Sequence, residues 1–209
     1  MDMPEQPQIY LVTPPVIDLS GFPDRLAAVM DAHEIACIRI ALAARDADAQ
    51  GRAADALREV AHARDVAILI TDHVALADRH GLDGVHLSDA GRSVRDARKA
   101  LGPDASIGSF CAASRHDGYI AGEAGADYVS FGPVTETGLG QGDLADHALF
   151  EAWSLMVELP VVAEGGLTEV KMAELAPVTD LFAIGDEIWS QDDPIAALRR
   201  LIAAMGAGA

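Results

Sequence analysis

Lysine is almost missing from this chain. Only Lys99 and Lys171 are present among 209 residues, and with arginine the basic total reaches 15 against 33 acidic residues. The formal net charge of −18 repels phosphate backbones, which excludes nucleic acid and anionic membrane as partners. It also limits how a phosphate-bearing ligand can be held. Positive potential must come from a few arginines, from backbone N–H groups at helix starts, or from a metal. Both lysines fall in helical patterns, not at strand ends, so a Schiff-base aldolase is excluded as well.

Other absences narrow the class further. Aromatic residues make up 5% of the chain while half of it is apolar, so alanine, valine, leucine and isoleucine must fill the interior. Two cysteines, Cys37 and Cys111, make no disulfide framework and read as reduced core or near-core residues. No Cys/His spacing suggests zinc. No run approaches the roughly 18 apolar residues of a membrane span. The opening MDMPEQPQ has no apolar stretch of a secretory leader, so the expected location is cytoplasmic.

What the chain does have is alternation. Short apolar runs read as strands at 8–12, 35–40, 66–70, 83–87, 106–110, 127–131, 160–163 and 179–184. Helical patterns fill 22–33, 47–64, 74–79, 93–101, 114–124, 144–158, 168–177 and 194–205. Ser93 and Thr168 stand as N-caps and Pro194 in a first turn. Eight strand–helix units without a composition break predict one compact (β/α)8 TIM barrel over residues 1–209. A doubly wound sheet is the rival, but no G-x-G-x-x-G follows the first strand. The alanine-rich outer helices suit either core packing or self-association into a homo-oligomer.

A barrel of this kind carries function at the C-terminal ends of its strands. Gly165-Gly166 precedes one helix and Gly185 follows the next strand. Backbone N–H groups there can close around phosphate oxygens, which points to small-molecule phosphate substrates. Asp72 ends the third strand, where it either binds Mg²⁺ or caps the next helix. His86 alternates with Val85 and Leu87 and reads as a hydrogen-bonded group of the barrel interior. Glu164 places a carboxylate at the mouth, suited to proton transfer. The strand from Ala126 runs through Gly132-Pro133 into a polar loop reaching Gly142, expected to close over the ligand.

The segments DGVHL (83–87), GADYVSFGPV (125–134), TET (135–137), PVVAEGGL (160–167) and FAIGDEIW (182–189), in this order, resemble the thiamine phosphate synthase and thiazole tautomerase family. The resemblance implies a TIM barrel that joins a pyrimidine pyrophosphate to a thiazole phosphate, using Mg²⁺ and releasing pyrophosphate. It implies a pyrophosphate contact at Arg39, a metal aspartate at Asp72, and a closing loop containing Thr135 and Thr137. It implies thiazole-phosphate binding around Gly165, Gly166 and Gly185, beside Glu164. The family's second metal aspartate falls on Gly91, with Asp89 the nearest carboxylate. Gly138 stands where the family's loop lysine is expected, and Phe110 and Ala112 replace a serine and a histidine. Two other functions fit the same features: a phosphosugar-type isomerase or epimerase using Glu164 as acid and base, and a relative that binds thiazole phosphate or thiamine phosphate without turnover.

Overall fold

The structure, a computed structural model, describes residues 6–44, 46–136 and 143–206. Its strands are β1 (Gln8–Val12), β2 (Cys37–Ile40), β3 (Ala67–Thr71), β4 (Gly84–Leu87), β5 (Ser106–Phe110), β6 (Tyr128–Phe131), β7 (Val161–Glu164) and β8 (Leu181–Ile184). Each runs parallel to both neighbours, and β8 pairs with β1, closing a barrel. That closure excludes the doubly wound alternative. The outer helices are α1 (Phe22–Ala32), α2 (Ala47–His62), α3 (Val74–His80), α4 (Val94–Leu101), α5 (Arg115–Ala124), α6 (His147–Met156), α7 (Glu169–Leu175), α8 (Asp186–Trp189) and α9 (Pro194–Met205).

The boundaries differ from the sequence pattern where polar side chains intervene. Helix α6 starts at His147, not at 144, because Asp146 accepts from Leu149 N–H at 2.9 Å and so sets the cap. Thr168 caps α7 as expected, but Ser93 donates its hydroxyl to Asp89 and does not cap α4 with its side chain. Helix α8 has four residues, too few for any periodicity to show. It is anchored by Trp189, whose indole N–H donates to Val12 O at 2.8 Å.

Strand registers determine which side chains share the interior. Residues alternate between the two faces of each strand, and the pairing shifts by one residue per strand around the barrel. The inward side chains therefore stack in layers of four drawn from alternate strands. One layer holds Cys37, Gly84, Tyr128 and Leu181. Above it lie Tyr10, Leu69, Gly108 and Val162, then Arg39, His86, Ser130 and Ala183. Val12, Thr71, Phe110 and Glu164 form the rim. The Tyr128 ring fits inside because Gly108 makes room for it, and Gly84 lets β4 approach the backbone of β5. A methyl group on Gly108 would stand 2.0 Å from Tyr128 Cζ, and one on Gly84 would stand 1.8 Å from Ser106 O. The opposite face of the strands packs on the helices, forming the larger apolar core around Leu26, Leu57, Phe131, Phe150 and Trp153.

The lower rim of the barrel is closed by a repeated aspartate. Asp83, Asp127 and Asp180 each immediately precede an even-numbered strand. Each side chain accepts from the backbone N–H of the preceding odd strand: Ile68 at 2.7 Å, Ile107 at 2.6 Å and Val161 at 2.8 Å. The three backbone N–H groups of the aspartates return bonds to the carbonyls of the same residues. Ala36 occupies the corresponding place before β2.

Two stability changes follow from this packing. Gly108→Ala should lower stability by about 3 kcal/mol, the upper end of overpacking costs, read as a fall in the urea midpoint. Asp180→Ala should cost about 1–2 kcal/mol by leaving Val161 N–H without an acceptor, and Asp180→Asn should recover most of that loss in the same titration.

Candidate active site

The polar layer of the barrel forms the floor of the mouth. Tyr10 and Tyr128 hydroxyls lie 2.8 Å apart, and Tyr128 Oη is 2.9 Å from His86 Nδ1. The arrangement that gives every hydroxyl proton an acceptor has Tyr10 donating to Tyr128 and Tyr128 donating to His86 Nδ1. Burial, and then the nearby Arg39 charge, holds His86 well below its ordinary pKa, so the imidazole is neutral. Its ring proton then sits on Nε2. Burial also pushes both tyrosines well above the ordinary phenol range. His86 is thus the buried, hydrogen-bonded histidine that its alternation indicated.

Arg39 sits in the same layer as His86 and joins it to the rim. Its Nη1 donates to Glu164 Oε2 at 3.0 Å, and its guanidinium carbon lies 5.6 Å from the Tyr10 ring centre. Burial works against the guanidinium charge, but Glu164 foremost, with Tyr10 and Tyr128, raises its pKa above the ordinary value. Arg39 Nε, His86 Nε2, Ser130 Oγ and Thr71 Oγ1 are buried without a protein partner. The upper half of the barrel interior therefore holds unpaired polar groups of the kind that an ordered water or a ligand heteroatom satisfies. The thiols are inert by comparison. Burial pushes Cys37 up to about 12 and Cys111 up to about 11, so neither is a thiolate at neutral pH.

Above Arg39 opens a cleft of about 780 Å³ whose lining includes Glu164, Gly165, Gly166 and Gly185. Gly165 and Gly166 both have left-handed backbone, φ 82° and 75°, which glycine adopts without strain. The loop after β6 packs directly on this turn. Val134 N–H donates to Gly165 O at 2.9 Å and the Thr135 hydroxyl donates to Gly166 O at 2.7 Å. Thr135 thus spends its only hydroxyl proton on shaping the glycine turn. The peptide before Pro133 is cis. Thr137 and Gly138 lie outside the described residues.

The opposite side of the mouth carries Asp72 and Asp89. Asp72 has left-handed backbone, φ 60°, and its carboxylate accepts from Ser88 N at 2.7 Å and Ser88 Oγ at 2.5 Å. It braces the loop after β4 and does not cap α3, whose cap position is His73. Asp89 accepts from Ser93 through Oδ2, while its Oδ1 is buried without a partner. Gly91 lies against α5, and a Cβ there would stand 2.7 Å from Ala121 Cα, so no aspartate fits this backbone course. Ala90 and Ala112 are also left-handed. Strained non-glycine positions therefore recur in the loops after β3, β4 and β5, a pattern that accompanies functional loops. Among the described residues, no three His, Cys, Asp or Glu side chains gather as a metal-binding group.

One functional candidate escapes a reading of the sequence. Glu187, on α8, accepts from Gly185 N–H at 2.8 Å through Oε2 and from Leu167 N–H at 3.1 Å through Oε1. Nothing in the local sequence links a glutamate after β8 to a backbone amide after β7. With Glu136, Glu164 and Asp186 it sets four carboxylates against one arginine in the cleft lining. Tyr10, Tyr128 and Ser130 likewise read as ordinary strand residues until the layers are assembled.

Comparison with known proteins agrees with this architecture. The family model "Thiamine monophosphate synthase" matches residues 9–184. A protein of Rhodospirillum centenum named thiamine-phosphate synthase is 39% identical over 189 residues, covering 88% of this chain and 89% of its own. One of Erythrobacter litoralis with the same name is 37% identical, covering 89% and 90%. Among solved structures, thiamine phosphate pyrophosphorylase from Pyrococcus furiosus superposes with a TM-score of 0.82 at 20% identity, covering 96% of each chain. The last match shows the shared fold, while the extended sequence matches carry the assignment: the chain belongs to the thiamine monophosphate synthase family.

Proposed function

We propose that this protein makes thiamine phosphate by joining a pyrimidine pyrophosphate to a thiazole phosphate, releasing pyrophosphate. The carbon–nitrogen bond to the thiazole ring forms, and the carbon–oxygen bond to pyrophosphate breaks with its electron pair leaving on the pyrophosphate. A protein that speeds this reaction must stabilise negative charge growing on the leaving group and hold the two rings in line. The observation that carries the reading is one cleft combining Arg39 at its floor with the Gly165-Gly166 turn and Gly185 at its wall.

In this reading Arg39 meets the pyrophosphate through its Nε and remaining N–H groups, and Glu164 holds the guanidinium in position. Gly165, Gly166 and Gly185 receive the thiazole phosphate. Thr135 maintains the glycine turn and Thr137 belongs to the closing loop. Magnesium suits the Asp72 side, because Mg²⁺ uses one or two carboxylates together with substrate phosphates, and Asp89 Oδ1 is a buried oxygen with no partner. Asp72 and Asp89 would hold it, and when bound it supplies charge neutralisation for the pyrophosphate. The Arg39–Glu164 pair argues against Glu164 as a free acid–base group, and so against an isomerase.

Purified protein given both substrates and Mg²⁺ is expected to form thiamine phosphate and pyrophosphate in equal amounts, followed by chromatography and pyrophosphate release. Tight substrate binding without product would instead assign a binding relative. Asp72→Asn should lower kcat by about 10²-fold, on the scale of one lost charge-stabilising group. Arg39→Gln should raise KM for the pyrimidine pyrophosphate more than for the thiazole phosphate; equal changes in both would remove Arg39 from the pyrophosphate end.

A further inference from the structure

Gly185 N–H, assigned above to the thiazole phosphate, and Leu167 N–H, just after the Gly165-Gly166 turn, already hold an anion supplied by the chain itself. Glu187 spans from Gly185 N–H to Leu167 N–H, with one carboxylate oxygen on each. The bond to Gly185, two residues away, is by itself a local helix-start contact related to a capping box. The bond to Leu167 is different: it crosses twenty residues to the loop that follows the Gly165-Gly166 turn. Among the described residues no lysine or arginine pairs with Glu187. Two backbone amides alone hold this charge, as they would hold an oxyanion of a phosphate ester.

Its position is determined by packing. Ile188 and Trp189, the next two residues, are buried. Trp189 is bonded to Val12 O, and its ring packs against Phe22 with centroids 5.1 Å apart. The backbone of α8 is thereby fixed, while the Glu187 carboxylate stands at the wall of the cleft.

We propose that Glu187 is a resident competitor for the substrate's phosphate and sets how tightly the mouth holds a phosphorylated thiazole. A phosphate must displace the carboxylate from Leu167 and Gly185 N–H and then share the cleft with its charge. Dianionic phosphate esters bind more weakly than the amide pair alone would allow, and removing the carboxylate's charge lifts the repulsive part of that penalty. The proposal rests on the phosphate reading of this wall but does not require turnover.

The test is calorimetry with inorganic phosphate as the probe, on wild type, Glu187→Gln and Glu187→Ala, beside the product assay. Glu187→Gln keeps an acceptor for the amides without the charge and is expected to bind phosphate at least tenfold more tightly than wild type. Glu187→Ala should show the same direction, seen also as a larger rise in Tm on adding phosphate. The Ala variant decides the matter should the Gln variant fail to fold. Unchanged or weaker phosphate binding in the folded variants overturns the proposal. Variants that make thiamine phosphate without gaining phosphate affinity reject the role of Glu187 and leave the synthase reading standing. Variants that gain affinity while no form of the protein makes product reject the synthase reading and leave the role of Glu187 standing.

Discussion

The interior cross-section of an eight-stranded barrel is fixed by its strand number and stagger, and the inward side chains must fill it without excess. Here two tyrosines occupy that space, one from β1 and one from β6, and Gly108 provides the volume for the Tyr128 ring. A buried phenol needs a partner for its hydroxyl, so the tyrosines pair with each other and with His86. That chain keeps polar groups in the barrel where a purely aliphatic filling would exclude them. Arg39 lies over the Tyr10 ring and reaches Glu164 at the rim. The polarity of the mouth thus begins two layers below it.

The second constraint is charge. A protein with a formal net charge of −18 has little long-range attraction for a phosphorylated substrate, and its cleft adds four carboxylates to a single arginine. The cleft's positive groups act at short range: backbone amides and one guanidinium. Both are already in contact with carboxylates of the same chain, Glu187 on the amides and Glu164 on Arg39. Internal anions satisfy groups that would otherwise be buried and unpaired, which stabilises the mouth.

The Asp72 side of the mouth shows how loop backbone alters the meaning of a residue. Family resemblance brings a metal aspartate to Asp72 and leaves Gly91 where a second is expected. The left-handed backbone at Asp72 turns its carboxylate onto Ser88, and Gly91 is tight against Ala121. Asp89 lies in the same loop, bonded to Ser93 on one oxygen and unpaired on the other. These positions depend on φ angles and on helix–loop contacts, neither of which a residue pattern expresses. The β6 loop is similar: TET reads as a ligand-closing sequence, yet Thr135 spends its proton on Gly166 O.

By itself, the sequence determined the barrel. Eight apolar runs alternating with helical periodicity leave few ways to bury both faces of each strand, and closing the sheet is one that removes its edges. It also determined the family and the glycine turn, because a fingerprint strand and a pair of adjacent glycines are local features. His86 was legible as an interior group from simple alternation. Only the tertiary structure decided which charges meet. Arg39 and Glu164 are 125 residues apart, Tyr10 and Tyr128 are 118 apart, and Glu187 reaches back 20 residues to Leu167. Such pairs arise from register and from the course of loops between strands. The strands and turns follow from short-range pattern; the electrostatics of the mouth follows from the closure of the barrel.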